Sequence, residues 1–130
     1  MIYTFDYDST YLAGPALPIV EFQLRAIGSD EGVLVSALVD SGADATILPI
    51  SNLTQAKVEQ IGRARMRWGP HLSGNYDVYL ATIQIGPHTI FGVRVLADAQ
   101  DSEAILGRDV LNQLKIILNG PAQVVEIPTD

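Results

Sequence analysis

The amino-acid sequence predicts an all-β domain with one or two short helices. Apolar and polar residues alternate along several runs, for example residues 76–85, as expected for half-buried strands. Clusters of Gly, Pro, Asn, Asp and Ser separate these runs. The order hairpin, strand, apolar-apolar-Gly, helix also occurs approximately twice along the chain. With 130 residues and 48% hydrophobic residues, we expect a single domain covering residues 1–130.

Strand patterns occupy most of the chain. We predict strands at residues 2–7, 19–27, 33–39, 61–68, 76–85, 89–96, 115–118 and 123–127. Residues 19–27 and 33–39 flank a short loop of turn-forming residues, so they are expected to form a hairpin. The polar residues 97–102 are expected to form a loop, and residues 103–106 lead into Gly107.

Two segments have the composition of helices. Residues 51–60 form a short helix in this interpretation, with Ser51 or Asn52 as the N-cap, because either side chain can accept a hydrogen bond from the first turn. Residues 107–114 are expected to form a second helix. The apolar residues that share one face of this second helix are Val110, Leu111 and Leu114.

Composition and charge exclude several classes of function. A net charge of −7 disfavours nucleic acid and anionic membranes as partners, because like charges repel. No apolar run approaches the ~20 residues of a membrane helix, and the N-terminus lacks the basic start of a signal peptide, so we expect a cytoplasmic protein. The absence of cysteine excludes disulfides and a cysteine nucleophile. His71 and His88 have no partner at metal-ligand spacing, so we expect no metal and no cofactor.

The stretch ALVDSGADATILP, residues 37–49, contains the main candidate for chemistry. An apolar strand runs directly into Asp40, which is followed by two small residues, Ser41 and Gly42. Glycine allows a ligand to approach the backbone closely, and backbone amides around a carboxylate favour its ionised form. Asp-Ser-Gly is also a common turn, so these three residues alone leave a turn and a catalytic site as alternatives.

The flanking residues favour the catalytic site. The pattern apolar-apolar-Asp-Ser-Gly-Ala-Asp-x-Thr-apolar-apolar-Pro resembles the active-site signature of the retroviral-type aspartic proteases, or retropepsins. A second segment, AILGRDVL in residues 104–111, resembles the family segment that crosses behind the catalytic loop. The resemblance spans residues 22–114 and implies a retropepsin-like fold with closed, barrel-like β-sheets.

This resemblance implies an aspartic endopeptidase that works as an obligate homodimer. The reaction needs two carboxylates and the chain has one such motif, because Asp109 belongs to the start of the second helix. Asp40 of each subunit is therefore expected to contribute to a pair that activates water without a metal. Such a pair shares a proton and titrates as one unit, which predicts a bell-shaped, acid-shifted pH profile.

The resemblance also assigns roles to the residues around Asp40. Ser41 is expected to brace the partner's loop across the dimer axis, and Gly42 to accept the backbone of a polypeptide substrate. Asp44 and Arg108 are expected to form a structural ion pair, with two unrelated surface charges as the alternative.

Further residues are expected to contact the substrate. Leu38, Ile47 and Ile105 are expected to line pockets that prefer apolar residues around the cut, and plain core packing is the alternative for each. The complete set of expected substrate contacts is Leu38, Ala43, Asp44, Ile47, Trp68 and Ile105. For Trp68, packing at the base of a hairpin is the alternative.

Two regions depart from the retroviral pattern. Residues 66–76 occupy the position of the flap, the hairpin that closes over substrate, but contain fewer glycines and include Pro70. The apolar hairpin at residues 115–127 extends beyond the second helix and is expected to contribute to the dimer interface. A non-catalytic retropepsin-like module, which binds peptides or only mediates dimerisation, remains the alternative function. A monomer without a completed pair is the third.

Overall fold

The computed structural model describes residues 1–68 and 72–129, without the side chains of residues 68, 72 and 73. Within these residues it contains ten strands and two short helices. The strands are β1 (Ile2–Asp6), β2 (Ile19–Ala26), β3 (Gly32–Val39), β4 (Ile47–Pro49), β5 (Glu59–Trp68), β6 (Leu72–Ile85), β7 (His88–Asp98), β8 (Ile105–Leu106), β9 (Ile117–Asn119) and β10 (Val124–Pro128). The helices are α1 (Ile50–Gln55) and α2 (Arg108–Leu111). The predicted all-β class is confirmed.

The larger sheet closes on itself. Its strand order is β2-β3-β8-β4-β7-β6-β5, and β2 additionally pairs with β6. Because β2 therefore has β3 on one edge and β6 on the other, six strands form a barrel-like ring. The predicted hairpin between residues 19–27 and 33–39 is confirmed as the antiparallel pair β2 and β3.

Alternating side chains of the barrel strands form the core. In β2, Val20, Phe22 and Leu24 are buried while Glu21 and Gln23 are exposed. Because side chains alternate with period two, a one-residue slip would expose all three apolar side chains, so the register of β2 against β3 is fixed. Because β3 pairs with β2 in this register, with Leu38 opposite Ile19, its end at Val39 is defined, and Asp40 follows immediately.

A second, three-stranded sheet joins the two ends of the chain. Its order is β1-β10-β9, with both pairings antiparallel. Val125 and Ile127 of β10 are fully buried. The predicted strand at residues 123–127 is therefore present, but it is the central strand and pairs with two neighbours of its own chain.

The first helix is shorter than predicted. The prediction of residues 51–60 is wrong at its end, because Glu59 and Gln60 belong to β5 and pair with β6. The predicted cap is also wrong, since α1 begins after Pro49 and no side chain caps it from that position. Instead, the Ser51 N–H donates to Oδ1 of Asp101, 3.0 Å away.

Other predicted boundaries shift in the same way. The second helix spans Arg108–Leu111 rather than residues 107–114. Ala97 and Asp98, predicted in a loop, are buried at the end of β7. Strands β5 and β6 are longer than predicted, since β5 already begins at Glu59 and β6 at Leu72, which pairs with Trp68. Residues 69–71 of the predicted flap lie outside the described residues. No helix in the described ranges is long and apolar enough to cross a membrane.

Candidate active site

Asp40 lies in a tight loop at the end of β3. Its N–H donates to the carbonyl oxygen of Leu106 at 3.1 Å, and its own carbonyl accepts from the N–H of Ala43 at 3.1 Å. The N–H of Gly42 donates to Oδ1 of the Asp40 carboxylate at 3.0 Å. Asp40 is half-buried. The hydrogen bond from Gly42 orients its carboxylate.

The second motif packs directly behind this loop. Strand β8 runs parallel to β3, with Leu38 opposite Ile105. A Cβ atom at Gly107 would lie 2.5 Å from both the carbonyl carbon and the oxygen of Ala45. Only glycine allows so close an approach of two backbones, and this explains why a glycine follows the apolar pair of the second motif.

Arg108 joins the start of α2 to the loop. Its backbone N–H donates to the carbonyl of Ala43 at 2.8 Å, and Nη1 donates to the carbonyl of Ser41 at 2.7 Å. Nη2 forms an ion pair with Asp44. The structure thus brings together the two charges expected to pair. The side chains of Arg108 and Asp44 are 42% and 75% exposed, so we attribute to the pair the positioning of the loop rather than a large contribution to stability.

Thr46 also links the loop of Asp40 to the turn at Gly107, a role that was not predicted from the sequence. The side chain is fully buried, with 0% exposure. Its hydroxyl donates to Oδ1 of Asp109 at 2.8 Å and accepts from the N–H of Gly107 at 3.1 Å. The Thr46 N–H donates to Oδ2 of Asp109 at 3.2 Å. A threonine within an otherwise apolar run was the available signal, because a buried hydroxyl requires partners.

Three expected substrate contacts lie side by side across three strands. Ile105 pairs with Leu38 on one side and with Ile47 on the other. Leu38 and Ile105 are half-buried and line a cavity of about 350 Å³. Ile47 is only 7% exposed and packs against Val78 and Leu96, so its surroundings are those of a core residue.

The hairpin formed by β5 and β6, which contains most of the predicted flap, packs on the same cluster. Ala64, Met66 and Tyr76 contact the cluster that contains Ile47. Arg63 and Asp77, opposite each other in the hairpin, form an exposed ion pair at 3.3 Å. The side chain of Trp68 lies outside the described residues, so its predicted contact with substrate stays a prediction.

The remaining site residues lie on the loop itself. Ser41 and Gly42 are exposed, and Ala43 is half-buried. In the ranges 1–68 and 72–129, none of the hydrogen bonds described involves the Ser41 hydroxyl.

Asp98 holds the loop that leads from β7 to β8 beside the site. Its carboxylate accepts hydrogen bonds of 2.8–3.0 Å from the N–H groups of Gln100, Ser102 and Glu103 and from the Ser102 hydroxyl. Burial by itself raises the pKa of Asp98, but these hydrogen bonds outweigh it and leave the pKa below its ordinary value.

We expect Asp98→Asn to weaken the dependence of stability on acid pH. A carboxyl whose pKa is lower in the folded state stabilises the fold above its ordinary value of 3.8, and this contribution is lost as pH falls below it. An amide cannot supply the charge, so we also expect a loss of about 1 kcal/mol or more at pH 7. Urea unfolding at pH 7 and pH 3 measures both effects. Asp30→Asn is the control, because Asp30 is an exposed carboxylate in a loop. If the free energy of unfolding changes by the same amount between pH 7 and pH 3 in Asp98→Asn and in the native chain, this account is wrong.

Comparisons with known proteins agree with this arrangement. Residues 28–113, more than half of the chain, match the family described as "gag-polyprotein putative aspartyl protease". The fold is similar to the solved structure "EIAV protease complexed with the inhibitor HBY-793", with a TM-score of 0.54 and 21% identity over 79% of this chain and 92% of that chain. At this identity the likeness concerns the fold alone. A search of curated proteins gave no match.

The family match covers both segments that meet at the site, since it includes the loop of Asp40 and the turn at Gly107. The fold, with its closed sheet and two short helices, agrees independently with a retroviral protease. The resemblance seen in the two sequence motifs is thereby confirmed. The chain belongs to the gag-polyprotein aspartyl protease family and is a member of the retropepsin-like aspartic proteases.

Proposed function

We propose that this protein is an aspartic endopeptidase and that its active form is a homodimer with one Asp40 from each subunit. The observation that carries the proposal is the position of Asp40. Its carboxylate is held by the Gly42 N–H at a strand end, and the Gly107–Arg108 turn braces the loop from behind. Membership of an aspartyl protease family supports the same chemistry.

The proposed reaction needs no metal or cofactor. Two adjacent carboxylates share one proton, because like charges disfavour ionisation of both. The ionised Asp40 takes a proton from water, whose oxygen attacks the peptide carbonyl, while the protonated Asp40 donates its proton to the carbonyl oxygen. When the C–N bond of the resulting diol breaks, the protonated carboxyl donates its proton to the leaving nitrogen, and the ionised one takes a proton from a diol hydroxyl, whose oxygen becomes the carbonyl of the acid product. Water is consumed and the shared proton is restored.

The surrounding residues take supporting roles in this proposal. Ser41 braces the loop of the other subunit through its exposed hydroxyl, and Gly42 and Ala43 lie against the substrate backbone. Asp44, paired with Arg108, also lies near the substrate main chain. Leu38 and Ile105, together with Ile47 and Trp68, favour apolar side chains around the cut.

We further propose that dimers form through the outer edge of β9. Strand β10 is already paired on both sides, whereas β9 pairs only with β10 among the described strands. Its Ile117 and Leu118 are 38% and 53% exposed. An unpaired edge with exposed apolar side chains favours pairing with another strand, and β9 of a second copy can supply it across a two-fold axis. This narrows the expected interface from residues 115–127 to residues 117–119.

We expect Leu118→Glu to convert the dimer to a monomer and to reduce proteolysis accordingly. Two copies of the new carboxylate would face each other near the symmetry axis, and we expect dimer affinity to fall by about tenfold or more. Leu34→Glu is the matched control, because Leu34 is another exposed strand leucine. Sedimentation at equal concentration measures the outcome. A Leu118→Glu chain that remains dimeric to the same extent as Leu34→Glu would exclude the β9 edge.

Hydrolysis of casein, an unstructured protein, between pH 4 and 6 tests the proposed activity. We expect cleavage by the native chain, inhibition by a pepstatin-like compound, and loss of cleavage in Asp40→Asn. If the chain binds unstructured peptides but cuts neither them nor casein, the non-catalytic peptide-binding alternative is correct.

A further inference from the structure

The cavity beside Leu38 and Ile105 has an outer wall that comes from the N-terminal part of the chain. The wall residues include Asp8, Tyr11 and Leu17, which precede the barrel in sequence. Leu38 is the next-to-last residue of β3, two residues before Asp40. The cavity therefore lies at the end of β3, where the chain continues into the loop of Asp40.

The N-terminal wall is fixed to the rest of the molecule. Asp8 and Leu17 exchange two backbone hydrogen bonds of 2.8 and 3.0 Å, which close residues 9–16 into a loop. The Val39 N–H donates to the carbonyl of Pro18 at 2.9 Å, so the end of this loop is attached to the strand that carries Asp40. The position of Asp8 relative to the candidate active site is thereby set by backbone contacts.

The cavity contains two carboxylates as well as apolar side chains. Oδ1 of Asp8 accepts hydrogen bonds from the hydroxyl and the N–H of Thr10, at 2.6 and 2.9 Å, and these lower the pKa of Asp8 below its ordinary value. Glu103 lines the same cavity. Neither carboxylate forms an ion pair with a Lys or Arg in the part of the chain that the structure describes.

We propose that this cavity receives a lysine or arginine side chain of the substrate, adjacent to the bond that is cut. The inference rests on the proposed function and adds to it a class of substrate. Long basic side chains place their aliphatic part against apolar surface and their charge in a polar environment. Leu38, Ile105 and Tyr11 provide the apolar surface, and Asp8 and Glu103 provide acceptors for the charge.

This assignment refines the apolar preference expected from Leu38 and Ile105. Their contact with the aliphatic part of lysine is the same as with leucine, but only a basic residue also pairs with the two carboxylates. The chain's net charge of −7 attracts basic polypeptides in addition. Because both carboxylates are partly accessible to solvent, salt weakens the pairing.

Peptide binding to the Asp40→Asn chain tests the cavity without requiring catalysis. The probes are two unstructured ten-residue peptides that are identical except for a central lysine or norleucine. We expect titration calorimetry at low salt to give about tenfold tighter binding of the lysine peptide, the size of one favourable charge interaction. Adding Asp8→Asn and Glu103→Gln should abolish this difference, whereas adding Asp30→Asn should leave it intact.

Several outcomes would overturn the assignment. These are equal affinities for the two peptides, no binding of either peptide, or a lysine preference that survives the combined Asp8→Asn and Glu103→Gln changes. Asp8→Asn retains an oxygen that accepts from Thr10, and circular dichroism verifies that each variant remains folded.

The failure of this inference and the failure of the proposed function give different results. If Asp40→Asn abolishes casein cleavage but the cut positions of the native chain show no enrichment in Lys or Arg, the enzyme assignment stands and the cavity assignment fails. If the lysine peptide binds preferentially and the native chain cuts nothing, the cavity assignment stands and the chain is a peptide-binding module.

Discussion

Gly107→Ala is expected to lower the midpoint of thermal unfolding by about 10 °C or more, or to prevent folding. The new Cβ would lie 2.5 Å from the carbonyl carbon and oxygen of Ala45 and 2.9 Å from its nitrogen. These are backbone atoms, which cannot rotate away as the end of a side chain can. We expect a cost of about 3 kcal/mol in the free energy of unfolding, at the upper end of the usual range for overpacking.

Gly62→Ala provides a matched control. It introduces the same methyl group, but no atom lies within 4 Å of the position that its Cβ would occupy. Neither glycine has a positive φ, so backbone strain does not distinguish the two variants. Unfolding followed by circular dichroism at equal protein concentration measures both. If Gly107→Ala and Gly62→Ala unfold at the same temperature, the close packing behind the loop of Asp40 does not contribute to the stability of the fold.

The effect of Gly107→Ala should extend to activity. The N–H of Gly107 donates to the hydroxyl of Thr46, and Arg108, the next residue, holds the carbonyls of Ser41 and Ala43. Movement of this turn therefore displaces the loop that orients Asp40. Any folded Gly107→Ala protein is expected to lose proteolysis more than stability alone explains.

The central part of the site could be predicted from the sequence because two short motifs mark it. The motif at Asp40 and the motif at Arg108 lie more than sixty residues apart, and periodicity alone does not bring them together. The family resemblance supplied that contact, and the structure contains it. For Thr46 the only signal was a threonine within an apolar run, which indicates that the hydroxyl needs partners but does not identify Gly107 and Asp109, 61 and 63 residues away.

Element boundaries failed where long-range pairing overrode local preference. Residues 51–60 have helical composition, but pairing with β6 draws Glu59 and Gln60 into β5. The antiparallel pairing of β1 with β10 joins residues at opposite ends of the chain, and no local signal specifies it. The bridge between Asp8 and Leu17 spans only nine residues and was not predicted either, because residues 13–18 contain Gly and Pro and lack the alternation of a strand.

Asp40→Asn is expected to reduce casein cleavage by about 10³-fold or more, with little change in fold. An amide has nearly the same size as a carboxylate and still accepts from the Gly42 N–H through its oxygen, but it cannot take a proton from water. The expected loss corresponds to removal of general acid–base catalysis. Asp30→Asn, an exposed carboxylate in the loop before β3, should retain full activity. Cleavage that survives Asp40→Asn would refute the catalytic assignment.

The same variant also tests whether the site is shared between two subunits. If native and Asp40→Asn chains are refolded together in equal amounts, random pairing gives about one quarter of dimers with two Asp40 carboxylates. Activity should then be about one quarter of that of the same total amount of native chain. A subunit that acts alone would instead retain about half, because each native chain would be unaffected by its neighbours. Refolding with Asp30→Asn should leave activity complete, so a value of one half with Asp40→Asn would show that one Asp40 is sufficient.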